Sequence, residues 1–456
     1  MMRKRTLKIL LLIFILFLCL ICLWEVFAHR HNRILEKEES EQVNAVQSTE
    51  IREETEDIMQ GGNKKTANES DDNKNDEGKN NEGKSDKDKN DVEEQEEYSK
   101  EQTVEERVEQ IIAGMTLEEK IAQLFVVTPE ALTGSDCVTQ AGEVTRDALS
   151  KRPVGGIIYF SNNLITPEQT GEMLSNTQSY GMERSGFPLF LSVDEEGGKV
   201  SRIASNTSFG EKTFLDMWEI GETKDTENAY EVGKTIGAYL HKYGFNLDFA
   251  PDVDVLTNSS NQVIGRRSFG SDAFLVADMG LAVVKGLEEE KVYACMKHFP
   301  GHGATESDTH EGYAYTSKSL EELQKEELLP FYRGIEEGIS FIMVAHIALP
   351  GVTGNEEPAS LSGQIVTGLL REEMGYDGIV ITDALNMGAV ADSYDSGTVA
   401  KKAIEAGVDL LLMPADFDAA YEELLYAVQN GEITEERINQ SLQRILKIKV
   451  ELNTEE

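Results

Sequence analysis

The chain has 456 residues, with 83 Asp and Glu against 43 Lys and Arg, and a formal net charge of −40. That length holds one large α/β barrel with additions, or two to three average domains. The charge excludes the basic face that a nucleic-acid partner needs, and the four cysteines (Cys19, Cys22, Cys137 and Cys295) offer neither a disulfide framework nor a metal-ligand spacing.

The N-terminus reads as an export signal. Arg3, Lys4, Arg5 and Lys8 precede an uninterrupted apolar stretch from Ile9 to Trp24. Positive charge stays inside, so the chain beyond Trp24 is expected to be translocated. The stretch is shorter than the ~20 residues of a spanning helix, and Val26-Phe27-Ala28 offers a small-residue cleavage site. Residues 1–33 are therefore an uncleaved membrane anchor or a removed signal. Both place the remainder outside the cytoplasm, anchored or secreted. Leu16-Phe17-Leu18-Cys19 lacks the small residues of a lipoprotein box.

Residues 34–102 read as an acidic low-complexity linker. From Gly61 to Asn90 the chain is Asn, Lys, Asp, Glu and Gly with almost no apolar residue. Such a segment cannot bury enough surface to offset chain entropy, and it predicts a flexible stalk. The charge is +5 over 1–33, −12 over 34–100 and −33 over the rest. The acidity therefore extends over the folded part, as a well-solvated surface.

From residue 104 short apolar runs alternate with amphipathic segments. Eight runs have the Val- and Ile-rich character of strands covered on both faces: Ile121–Val127, Val154–Phe160, Pro188–Val193, Phe245–Pro251, Val292–Lys297, Phe341–Ile347, Gly378–Thr382 and Gly407–Pro414. Helical periodicity fills the gaps. One helix starts at Thr166-Pro167-Glu168, with a cap and a proline in its first turn. Asn228–Tyr243, Asp272–Glu290, Ser319–Glu337, Ser362–Met374 and Thr398–Ala406 are the others. Eight strands with intervening helices predict a (β/α)8 TIM-type barrel, a single catalytic domain over 103–456. A doubly wound open sheet is the alternative, but eight comparable units favour closure. Residues 417–450 are expected to be terminal helices packed on the barrel.

The strand ends carry the chemistry. The third strand ends in Asp194-Glu195-Glu196-Gly197-Gly198. The fourth carries Asp248 and runs into Asp252 and Asp254. The fifth ends in Lys297-His298, the sixth at His346, and the seventh in Thr382-Asp383. In a barrel these carboxyl ends converge on one mouth.

The densest stretch runs from Lys297 to His310 and holds three of the seven histidines. His298 and His302 are four apart, a zinc-ligand spacing on a helix. Pro300, Gly301 and Gly303 forbid a regular helix, so no metal is expected. Asp308 and His310 are two apart, and residues i and i+2 of an extended backbone point the same way. A carboxylate can then hold one imidazole nitrogen and leave the other for proton transfer. A surface loop of ordinary polar residues fits the same spacing. Asp383, after an apolar strand, is a nucleophile or the cap of the following helix.

Three stretches together resemble glycoside hydrolase family 3: Ser192 to Arg202, Lys297 to His310, and Ile381-Thr382-Asp383-Ala384-Leu385. Met115 to Ile121 is similar to the family's entry into its first strand. The resemblance covers about residues 104–450, and the Asp-x-His pair is similar to that of the β-N-acetylglucosaminidase branch. It implies a barrel enzyme and a retaining double displacement. By this resemblance Asp383 forms a glycosyl-enzyme, and His310, supported by Asp308, is the acid/base. It also implies that Asp194, Arg202, Arg267, Lys297 and His298 hold a terminal N-acetylglucosamine. Arg267 is taken over its neighbour Arg266 because it stands next to Ser268. No cofactor is implied.

The chain departs from the pattern at Gly198-Lys199, where many members have Gly-Arg; lysine lacks the planar fork. The β-glucosidase branch takes its acid from a second domain. Nothing after residue 450 is expected to supply one, which leaves the histidine dyad. The expectation is an exported β-N-acetylhexosaminidase acting on peptidoglycan-derived saccharides. Its partners would be a carbohydrate and, through the N-terminus, a membrane, and it would be a monomer. A β-glucosidase, β-xylosidase or phosphorylase of the same family, or a barrel that binds wall material without turnover, are the alternatives.

Overall fold

The computed structural model describes residues 102–307 and 314–454. These belong to one unit of the chain, which begins at Glu97. The predicted signal or anchor (1–33) and the linker up to residue 101 lie outside the described residues, as do Asp308 and His310.

Eight strands form one parallel sheet: β1 (Phe125–Val127), β2 (Gly156–Ile158), β3 (Phe190–Val193), β4 (Leu247–Asp248), β5 (Tyr293–Phe299), β8 (Phe341–Val344), β9 (Ile379–Thr382) and β10 (Leu411–Leu412). Each pairs with its predecessor, from Val126↔Gly156 to Val344↔Thr382. β10 pairs back onto β1 through Phe125↔Leu411, and the bridge Ile381↔Leu410 joins β9 to β10. The sheet is thus wrapped into a barrel, as the alternation of apolar runs and helices predicts. Two short strands, β6 (Glu306–Ser307) and β7 (Ala314–Tyr315), pair antiparallel outside it.

The barrel interior is packed. Phe190 of β3 meets Phe341 of β8 edge to face, with ring centroids 5.3 Å apart. These strands are not neighbours in the sheet, so the contact crosses the interior. Such a pair adds about 0.5–1.5 kcal/mol beyond the area it buries.

Helices surround the strands, each started by a local signal. Thr166 caps Pro167–Ser185 by accepting from the Gln169 amide, and Gly186 ends it at φ 77°. Asp225 and Asp272 cap Thr226–Tyr243 and Ala273–Glu289 in the same way. Phe417–Gln429 and Glu435–Thr454 are the terminal helices. Among the described residues no helix is long and apolar enough to cross a membrane.

Two predicted elements are corrected. The first strand starts at Phe125, because Leu117–Ala122 is a helix. Its capping box, with Thr116 and Glu119 each bonding the other's backbone amide, outweighs the apolar run. The predicted helix Ser319–Glu337 is two helices, Leu320–Lys325 and Leu329–Glu336. Glu326 leaves helical geometry at φ −131° and ψ −78°, and Pro330 brings no amide to carry the ladder across.

Candidate active site

The carboxyl ends of β3, β4, β5, β8 and β9 bring the site together. On β3, Val193 leads into Asp194, whose Oδ1 accepts from Lys297 Nζ at 2.9 Å. Gly197 (φ 85°) and Gly198 (φ 56°) then turn the chain in the left-handed region. At Gly198 a Cβ would lie 2.6 Å from the Asp216 Cα, so only glycine fits that bend.

The two glutamates before the turn divide their work. Glu195 is buried and holds the next loop. It accepts from the amides of Arg202, Ile203 (2.9 Å) and Ala204 (3.0 Å), the Ser201 hydroxyl (2.6 Å) and the Tyr239 hydroxyl (2.8 Å). Glu196 is buried beside the cations. It accepts from Arg267 through Nε (2.8 Å) and Nη2 (2.6 Å), and Lys297 Nζ lies 2.6 Å from its Oε1. Burial pulls the Glu196 carboxyl up. The charges of Lys297 and Arg267 outweigh it and hold the group well below the usual range.

β4 supplies Asp248, and the segment after it supplies Asp252 and Asp254. The bridge Asp252↔Lys297 continues the β4–β5 pairing past the strand proper. Asp254 Oδ2 accepts from His298 Nδ1 at 2.7 Å, and Oδ1 from the His302 amide at 2.5 Å. Burial, then the charge of Asp254, push Asp252 up to about 8. Arg267 Nε lies 3.3 Å from Asp252 Oδ2, yet that oxygen makes no hydrogen bond, and neither does Asp248 Oδ2. Burial raises Asp248 well above the carboxylate range, with Glu195 and Asp194 adding to it. Burial lowers the His298 imidazole, but Asp254 more than compensates and its pKa is raised.

β9 delivers Asp383, partly buried at the rim. Its amide donates to the Val344 carbonyl at 2.9 Å, and its Oδ1 accepts from the Ala384 amide at 2.7 Å. Burial would raise this carboxyl. His298, the Ala384 amide and Lys297 together hold it below its ordinary value, so it is ionised. His346 fixes the chain just beyond. Its Nε2 lies 3.1 Å from the Ala384 carbonyl, which can only accept, so Nε2 bears the proton. Its Nδ1 then takes a bond from the Ser360 hydroxyl at 2.7 Å.

Of the residues singled out from the sequence, Asp194, Arg267, Lys297, His298 and Asp383 gather at the mouth. Arg202 stands further out, its guanidinium 4.0 Å from Asp194 Oδ2 and 5.8 Å from the Phe160 ring. The arginine doublet divides: Arg267 turns inward, while Arg266 is exposed and pairs with Asp216 and Glu219. Lys199 is exposed. Glu196, Asp252, Asp254 and His346 received no role from the sequence, although each was visible as a polar residue just past an apolar run. Nothing in the sequence pointed to Ser360 or Tyr239.

Among the described residues one triad could hold a cation: Asp252, Asp254 and His298, with ligand atoms within 4.8 Å of one another. Its members already face Arg267 and each other. His298 and His302 stand with ring centroids 6.0 Å apart, and His302 Nδ1 is turned to the Thr305 hydroxyl at 3.0 Å. Cavities of about 680 and 510 Å3 lie at the opposite end of the barrel, against Ser340 and Gly378 and against Pro188 and Phe245.

Carboxylates, cations and imidazoles gathered on the carboxyl rim of a parallel barrel define a barrel enzyme. The profile described as "Glycosyl hydrolase family 3 N terminal domain" matches residues 116–448, and the chain belongs to that family. It is 34% identical over 330 residues to beta-hexosaminidase A of Pseudoalteromonas piscicida, covering 67% of this chain and 55% of the relative. It is 36% identical over 298 residues to a beta-hexosaminidase of Nitrosomonas eutropha, covering 64% of this chain and 82% of the relative. A solved family 3 beta-N-acetylglucosaminidase from Paenibacillus superposes with a TM-score of 0.70 at 38% identity, over 75% of this chain and 64% of that one. The chain thus spans under two thirds of the Pseudoalteromonas and Paenibacillus proteins.

Proposed function

We propose that this protein is a retaining β-N-acetylhexosaminidase that removes terminal β-linked N-acetylglucosamine from saccharides. The observation that carries the reading is Asp383. It is an ionised carboxylate on the rim, held so by His298, the Ala384 amide and Lys297, beside a cluster rich in sugar-binding donors. The names borne by the relatives support the same choice. Asp383 attacks the anomeric carbon, and Asp194, Arg202, Arg267, Lys297 and His298 hold the sugar. His310, with Asp308 as its support, protonates the leaving oxygen and then activates water.

The N-terminal charge pattern supports export, with the enzyme anchored or secreted, and this location supports peptidoglycan-derived fragments as substrates. The test is a panel of aryl glycosides. Nitrophenol should be released from the β-N-acetylglucosaminide and far less from the β-glucoside or β-xyloside. With phosphate added, the product should remain N-acetylglucosamine rather than its 1-phosphate. Release from the plain glucoside alone would refute the reading, and so would muropeptide binding without turnover. Fractionation of cells making the chain tests export, which fails if the protein stays in the cytoplasm.

A further inference from the structure

We propose that Glu196 is a positioning residue that fixes Arg267 and Lys297 as one preformed clamp on the sugar. The proposal rests on the sugar-binding reading of the barrel mouth. Glu196 Oε1 lies 2.6 Å from Arg267 Nη2 and 2.6 Å from Lys297 Nζ. The guanidinium is also held through Nε at 2.8 Å. These two cations come from different parts of the fold: Lys297 from the end of β5, Arg267 from the segment after β4. Like charges that close repel strongly in a buried site, and one carboxylate between them removes the cost. The bidentate contact sets the plane of the Arg267 fork. The turn at Gly197 and Gly198, and the bond from the Glu196 amide to the Val200 carbonyl at 2.8 Å, fix the carboxylate itself. Glu195 stabilises the neighbouring loop and touches neither cation, so its partners do not duplicate this role.

The consequence concerns charge as well as geometry. The titratable groups around Lys297 are Asp194 and Glu196 after β3, Asp248 in β4, Arg267 beyond it, Cys295 and His298 on β5, and Asp383 after β9. Burial lowers the Lys297 ammonium, Asp194 and Glu196 more than restore it, and Arg267 opposes them. Neutralising Glu196 removes one of the two charges that keep Lys297 protonated. The ammonium should then lose its proton at a lower pH, and sugar binding should fade as the pH rises.

The experiment compares the full chain with Glu196→Gln and Glu196→Asp on the aryl β-N-acetylglucosaminide. Glu196→Gln is expected to raise KM at least about 30-fold, the scale for interrupting one partner of a buried ion pair, with kcat changed less. As the pH rises, its KM should begin to climb at a lower pH than the parent's does. Glu196→Asp keeps the charge, so it should raise KM without that pH dependence. Should Glu196→Gln fail to fold, Glu196→Asp carries the test, and an unchanged KM overturns the proposal. A KM that rises in Glu196→Gln but runs parallel to the parent with pH also overturns it. Titration of Lys297 by lysine-selective NMR reads the same hold without a substrate. An equal midpoint in parent and Glu196→Gln overturns the proposal even if no glycoside is cleaved, whereas a lowered midpoint without parental turnover faults only the hexosaminidase reading.

Discussion

The barrel buries carboxyl groups at both of its ends, and the two sets are finished differently. Below the strands, Asp409 has a full complement. Oδ1 accepts from the Ser441 hydroxyl at 2.7 Å, Oδ2 from the Val380 amide at 2.9 Å, and Arg371 and Arg444 pair with it. At the mouth, among the described residues, Asp248 and Asp252 each keep an oxygen with no hydrogen bond, and Asp383 accepts from its neighbouring amide. A buried polar atom without a partner is expensive, and a fold keeps such atoms where something else is to engage them. The lower network holds the barrel together. The upper one holds donors and acceptors in readiness.

That contrast can be broken by substitution. Asp383→Asn should lower kcat by about four orders of magnitude or more and move the melting temperature by only a few degrees. A variant that turns over normally would remove Asp383 from the mechanism. Asp409→Asn should do the reverse. It leaves Arg371 and Arg444 short of a buried counter-charge, so urea unfolding should show a loss of about 3–5 kcal/mol, with KM unchanged per folded molecule. A changed KM would mean that the two ends are not separate.

Lys449 gives a subtler test of the lower end. It is buried, and its Nζ reaches Gln123 Oε1 at 2.8 Å and the Gly155 carbonyl at 2.7 Å with no carboxylate beside it. Burial depresses its pKa well below 10.5. The unfolded chain then binds the extra proton, so this group makes stability rise with pH from its folded pKa up to 10.5. In Lys449→Met that rise should vanish, at a cost near neutral pH of about 1–3 kcal/mol for the acceptors left behind. Urea midpoints at two pH values measure it; parallel shifts would show that Lys449 keeps its charge. The smallest effect belongs to Arg266→Ala. Its surface pairs with Asp216 and Glu219 should be worth no more than about 1 kcal/mol, and KM should not move, whereas Arg267→Ala should raise KM. Equal behaviour of the two arginines would erase the inward–outward division of the doublet.

The fold was legible because a strand covered on both sides must be apolar along its length. Val154–Phe160 and Phe341–Ile347 contain β2 and β8, and the error at β1 arose where a capping box interrupted an apolar run. The helix break at Glu326 was hidden because its periodicity carries straight through. In the site, Lys297, His298 and Asp383 stood out by ending apolar runs. Glu196 did not, because adjacent carboxylates look alike in a sequence. Only the turn at Gly197 and Gly198 decides which of Glu195 and Glu196 faces the cations. For Asp252 and Asp254 the deciding contact is with β5, some forty residues on, and spacing does not report it.

The described chain enters the barrel at a revealing place. Val104 opens its first helix beside Ser340 and Gly378, which lead into β8 and β9 and so mark the pole away from the mouth. A probe attached at Val104 itself would therefore report on that pole and leave the mouth untouched.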